Sequence, residues 1–156
     1  MTQTPTKDYE KGLATRREVL GAGYVDAAIQ NATDFNIEMQ EMVTQYCWGD
    51  VWNRPGLDRK TRSFLNLAML TALNRPHELK LHVRGAINNG VTRDEIKEVF
   101  LQTAIYCGVP AANTAFKITG KILQDEGLAP LPQPLTRAVR PRVQHTFSQP
   151  QLGLVL

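Results

Sequence analysis

A chain of 156 residues, 42% of them hydrophobic, is one domain, long enough to bury about two-thirds of the surface its unfolded chain exposes. Its formal charge of +3 arises from Arg137, Arg140 and Arg142 alone, since the other basic and acidic residues balance; three scattered arginines do not make the clustered basic face that nucleic acid requires. Cys47 and Cys107 have no short-spaced partner, which argues against a disulfide framework or a CxxC motif, and no apolar run approaches the roughly 20 residues of a membrane span.

These features point to a cytoplasmic protein with reduced thiols and neither a nucleic-acid nor a membrane partner. Apolar residues recur at helical spacing and nothing alternates as a strand does, so the expected fold class is all-α. Asp8 to Leu20 reads as a first helix closed by Gly21 and Gly23, followed by a short helix near Tyr24 to Asn31. Asp34 to Trp48 reads as the next, with Phe35, Met39, Met42, Val43 and Tyr46 on one side. The turn NRPGLD breaks the chain at Pro55-Gly56, and Asp58 can cap the following helix by accepting from its first free N–H groups. Phe64, Leu67, Ala68, Leu70 and Thr71 form the inner stripe of that helix, which ends near Leu73.

Pro76 restarts the chain, because proline at the first helical position loses only an N–H that has no partner anyway. The new helix runs to about Asn88 and stops at Asn89-Gly90. Thr92 to Glu95, TRDE, reads as a capping box that opens a helix to about Tyr106. Gly108-Val109-Pro110 turns the chain, and Ala111 to Leu123 makes a last helix closed by Gly127. Five of the nine prolines follow it. The expected organisation is a helical domain over 1–127 and a proline-rich, extended tail over 128–156, placed to pack across a neighbouring subunit.

The stretch NRPHELKLHVRG holds two of the three histidines and a glutamate behind Pro76. Glu78 and His82 are one helical turn apart and share a face, a candidate acid–base pair. His77 lies about 100° around the helix from Glu78 and about 140° from His82, so it borders that face. The free N–H groups of the first turn favour negative charge, which suits a carboxylate substrate. The same spacing is also that of an ordinary solvated ion pair. A metal site is disfavoured, because His77 and His82 are not spaced as in HExxH and no third ligand follows.

The run from WGDVWNRPG through LNRPHELKLHVRGAINNGVTRDE to YCGVPAANTAF, with YEKGLATRREVLG before it, closely resembles the carboxymuconolactone decarboxylase family of the alkylhydroperoxidase D-like superfamily. The resemblance covers about residues 9–125. It implies an all-helical fold, a trimer-based homo-oligomer with the hexamer as its larger form, and a cofactor-free lyase of protocatechuate catabolism. The implied substrate is a lactone dicarboxylate, 4-carboxymuconolactone, converted to 3-oxoadipate enol-lactone. Peroxidase-type members of the superfamily carry a CxxC and a histidine on the corresponding helix. Laid on this sequence, those cysteines fall on Arg75 and Glu78 and the histidine on His82, while the relay glutamate falls on Ser63, beside Arg62.

The implied reaction needs two carboxylates held, one oxyanion stabilised and one proton delivered. Arg62, Arg54 and Arg75 are the candidates for the carboxylates, because a guanidinium matches a carboxylate bidentately. Arg62 is the first choice, reaching the Pro76 end if the chain reverses at Asn74-Arg75. His82 is the expected acid, oriented by Glu78, with His77 donating to the lactone oxygen; Glu78 and His82 can exchange roles. Trp48, Trp52 and Tyr106 are candidate pocket walls. Two alternatives stand beside this reading: a peroxidase-like thiol reductase using Cys47 or Cys107, and a non-enzymatic helical module for ligand binding or oligomerisation.

Overall fold

The computed structural model describes residues 7–128, and all their regular structure is helical. Helices α1 (Lys7–Leu20), α2 (Ala22–Gln30) and α3 (Ile37–Met42) lead into a π-helix (Val43–Asp50) and a 3₁₀ turn (Val51–Asn53). Then come α4 (Arg59–Ala72), α5 (Pro76–Asn88), α6 (Arg93–Cys107) and α7 (Val109–Asp125). The tail expected over 128–156 lies, from residue 129 on, outside the described residues.

The helix starts form where local chemistry dictates. Asp58 accepts from the Thr61 amide at 2.6 Å and opens α4. Thr92 and Glu95 close both halves of their capping box at the start of α6. Between α4 and α5 the chain reverses through Asn74, whose φ of 51° is left-handed, a conformation asparagine tolerates better than most residues. Pro76 then occupies the first turn of α5.

Two expectations are corrected. The segment 34–48 is not one α-helix: the ladder widens to π geometry at Val43. Its cause is the crossing of α1, where a Cβ on Gly12 would run into the Thr44 carbonyl oxygen and one on Gly49 into that of Asp8. The two backbones touch, and the widened turns let them do so. Arg16 reinforces the contact, donating to Thr44 Oγ1 and Gln40 Oε1, each at 2.9 Å. The π-helix therefore buries Thr44, Trp48 and Gly49, while Phe35 is 95% exposed and Met39, Met42 and Tyr46 also face outward. The last helix begins at Val109 rather than Ala111, because Pro110 fits the first helical turn without losing a hydrogen bond.

The core has two parts. Leu67, Leu79, Val83, Ala86, Ile96, Phe100, Ala115 and Ile122 join α4 to α7. Val19, Trp48 and Trp52 form a second cluster beside α1. Asn88 Nδ2 donates to the Val19 carbonyl at 2.8 Å and ties α5 to α1. On α4 the inner stripe is as expected: Leu67 and Thr71 are buried and Phe64, Ala68 and Leu70 half-buried.

Candidate active site

Helices α4 and α5 pack against each other, and two side-chain contacts fix their register. Asn89 Nδ2 donates to Ser63 Oγ at 3.0 Å, and Asn66 Nδ2 lies 3.3 Å from His82 Nδ1. The helices are thus antiparallel, with Asn66 level with His82. Glu78 lies one turn from His82 toward Pro76, and Arg62 one turn from Asn66 in the opposite direction, each about 6 Å along a helix axis. The chain does reverse at Asn74-Arg75, but this sets Arg62 beyond His82 rather than at the Pro76 end. Along the two helices, Glu78 and Arg62 thus lie one turn to either side of the Asn66–His82 level, and of the two charges only that of Glu78 acts on the imidazole.

His82 sits where the two core clusters meet. Leu79 and Val83, its neighbours on α5, belong to the first. Its ring lies nearly parallel to Trp48, at 6° and 6.3 Å between centroids, and to Trp52, at 23° and 6.4 Å. The two indoles stack on each other at 4.7 Å and are only 3% and 6% exposed. Burial pushes the imidazole below its ordinary pKa, an effect the Glu78 carboxylate offsets only in part. His82 is therefore neutral at pH 7.

Arg62 is half-buried and, among the described residues, lacks a counter-charge. One Nη donates to the Arg54 carbonyl at 3.1 Å, and its Nε is buried with no partner. Asp58, the carboxylate one turn before it, is committed to the Thr61 amide. Among the described residues neither Arg62 nor Arg75 forms an ion pair. A buried guanidinium N–H without a partner is costly, and an incoming carboxylate would satisfy it.

The remaining candidates lie further out. His77, Glu78 and Arg75 are all exposed in the first turn of α5 and the residue before it. Arg54 is exposed and only 4.0 Å from Asp50. It lines a cavity of about 450 Å³ with Asp8, Lys11, Tyr46 and Asn53, which includes neither His77 nor His82. Tyr106 is 77% exposed on α6 and makes no ring contact with His82, unlike the two tryptophans. Ser63, where the superfamily's relay glutamate would fall, is buried, donating to the Arg59 carbonyl and accepting from Asn89.

Sequence reasoning missed Asn66. The one available signal was a lone amide within the apolar run SFLNLAML, four residues after Arg62, which puts both on one face of α4. Its partner lies 16 residues downstream, and nothing local indicates that separation.

The sequence is similar to those of known proteins. Residues 38–121 match the Carboxymuconolactone decarboxylase family. The chain is 45% identical over 122 residues to a 4-carboxymuconolactone decarboxylase of Acinetobacter baylyi, covering 78% of this chain and 91% of that protein. It is 48% identical over 117 residues to a nitrosuccinic acid decarboxylase of Metarhizium robertsii, covering 75% of this chain and 82% of that one. A 4-carboxymuconolactone decarboxylase sequence of Pseudomonas putida is 45% identical over 42 residues, 27% of this chain and 88% of that sequence. The family match runs from within α3 into α7 and takes in Trp48, Trp52, Arg62, Asn66, Glu78 and His82. The chain belongs to the carboxymuconolactone decarboxylase family.

Proposed function

We propose that this protein is a carboxy-lyase that converts 4-carboxymuconolactone to 3-oxoadipate enol-lactone in protocatechuate catabolism, without a cofactor. The observation that carries the reading is the tryptophan-backed His82, held below its ordinary pKa by burial, with the Glu78 carboxylate one turn away on α5. The substrate provides its own electron sink. The bond from ring carbon to carboxylate breaks, its electron pair moves through the ring double bond onto the lactone carbonyl oxygen, and CO2 leaves. A proton added at the carbon alpha to that carbonyl completes the product.

The residues divide this work. Arg62 clamps the acetate-arm carboxylate, which does not react, while the departing carboxylate sits away from cations, since a salt bridge there would stabilise the ground state and be lost with CO2. His82, being neutral, donates a hydrogen bond to the carbonyl oxygen where charge develops. Glu78, exposed and one turn away, exchanges protons with solvent and returns one to the ring. Of the two exchangeable roles, this assigns the proton to Glu78. His77 and Arg75 border the mouth, and the tryptophans keep water from the face of the imidazole.

Purified protein should consume the lactone, followed as loss of its ultraviolet absorbance. No loss above the uncatalysed rate would remove the proposal. A second reading has its own observation, the 48% identity to the nitrosuccinic acid decarboxylase. Nitrosuccinic acid is likewise a dicarboxylate that can lose CO2 while the electron pair of the broken bond passes to an acceptor, the nitro group, with a proton then added at that carbon, so the same residues serve either chemistry. Comparing kcat/KM for the two acids decides between them.

The thiol reading has physical obstacles. Burial raises the Cys47 thiol above its ordinary pKa, against the opposing pull of Arg16, so little thiolate forms at neutral pH. Cys47→Ser and Cys107→Ser should each retain decarboxylase activity within about twofold, since no step uses a thiolate. Loss of turnover in either folded variant would restore the redox alternative. We further propose self-association into a trimer-based assembly in the cytoplasm. Leu65, Met69 and Leu73 form an exposed apolar line along α4 and its C-terminal cap, and Leu101 and Ile105 form one on α6, patches of the kind that subunit contacts cover. A sedimentation mass equal to one chain would exclude it.

A further inference from the structure

We infer that Asn66 is a positioning residue that fixes the tautomer of His82, placing the imidazole proton on Nε2 and aiming that N–H at the substrate. The inference rests on the role for His82 proposed above. An amide nitrogen carries only donors, so Asn66 Nδ2 at 3.3 Å from Nδ1 can approach favourably only if Nδ1 is the unprotonated, accepting nitrogen. The proton of a neutral imidazole then resides on Nε2, at the other end of the ring.

The surroundings leave Asn66 this task alone. Trp48 and Trp52, from the π-helix and the 3₁₀ turn, meet the ring through their stacked faces and carry no charge. The flanking ionisable groups are Glu78, one turn back on α5, and Arg62, one turn from Asn66 on α4. Glu78 acts on the imidazole through its charge, and among the described residues no hydrogen bond joins the two side chains. The Asn66 amide is therefore the group that distinguishes the two ring nitrogens. Reversing the tautomer would turn an accepting lone pair, rather than a donor, toward the forming oxyanion, which costs the stabilisation that a preorganised N–H provides.

The test is nitrogen NMR of ¹⁵N-histidine-labelled protein, with the His82 signals assigned by their loss in His82→Gln. Wild type should show Nδ1 in the unprotonated range and Nε2 in the protonated range. Asn66→Ala should move the signals toward the mixture of an unconstrained imidazole and lower kcat by ~10-fold with little change in KM. Asn66→Asp, whose carboxylate accepts rather than donates, should shift the proton to Nδ1 and carry the acid limb of the kcat/KM profile to higher pH.

The inference is overturned if wild type carries its proton on Nδ1, or if Asn66→Ala leaves both tautomer and kcat unchanged. The spectrum of the unaltered protein decides the point even where a variant does not fold. It also separates this inference from the proposed reaction: an Nε2–H tautomer in a protein that leaves the lactone intact would uphold the positioning role and sink the activity.

Discussion

Replacing His82 by alanine lowers kcat for the lactone by ~10²-fold or more, the loss typical when one oxyanion donor is removed from a preorganised site. The fold should survive. His82 is only half-buried, and Trp48 and Trp52 stack on each other as well as on the imidazole. Steady-state kinetics beside a circular-dichroism melt separates the two outcomes. Glu78→Gln should cost ~10²-fold in kcat for a different reason, since a positioned proton donor contributes about 10²–10⁴. It should do so without disturbing the packing, because Glu78 is exposed. Near-normal turnover in both variants would dismiss the site.

Arg62→Lys should raise KM and reduce kcat/KM by ~10-fold or more, because lysine keeps the charge and loses the bidentate fork. Two observations place the effect at Arg62. Its Nε is buried without a partner, and the Asp58 carboxylate, which would have neutralised it as an ordinary surface pair, is hydrogen-bonded to Thr61 instead. Arg62→Ala should be worse, losing charge and fork together. Wild-type KM in Arg62→Lys would move the clamp to Arg54 or Arg75.

What was legible in the sequence is what short-range chemistry specifies. Asp58, Pro76 and the Thr92–Glu95 pair each start a helix through groups within three residues of one another, so their signals lie together in the chain. Gly108 ends α6 likewise, with a φ of 104° that side chains rarely adopt. The π-helix was illegible because its cause is distant: Gly12 must meet Thr44 and Gly49 before the ladder widens. Of the residues expected on one side of that segment, Phe35, Met39, Met42 and Tyr46 are exposed and Val43 packs against the second core cluster with the buried Trp48.

The site divides in the same way. Glu78 and His82 were found because they lie on one helix at one-turn spacing. Asn66 and Arg62 join them only through the register of two antiparallel helices, which the Ser63–Asn89 and Asn66–His82 contacts set. The role of His82 also changed for a nonlocal reason. Its spacing from Glu78 suggests an acid oriented by that carboxylate, but desolvation against the tryptophan pair outweighs the carboxylate, which favours the neutral imidazole.

That neutrality, combined with lactone decarboxylation, is the centre of the account, and kcat/KM for the lactone as a function of pH measures both at once. The profile reports the free enzyme. Since burial holds the imidazole below its ordinary 6.5, the part of the profile due to His82 should be level through neutral pH and decline only on the acid side of that value, as His82 takes up a proton. A rate that instead rises as the pH falls through 6.5 in Glu78→Gln as well as in the unaltered protein would make the imidazolium the active form and contradict the assignment, and a lactone that is not consumed at any pH would contradict the function itself.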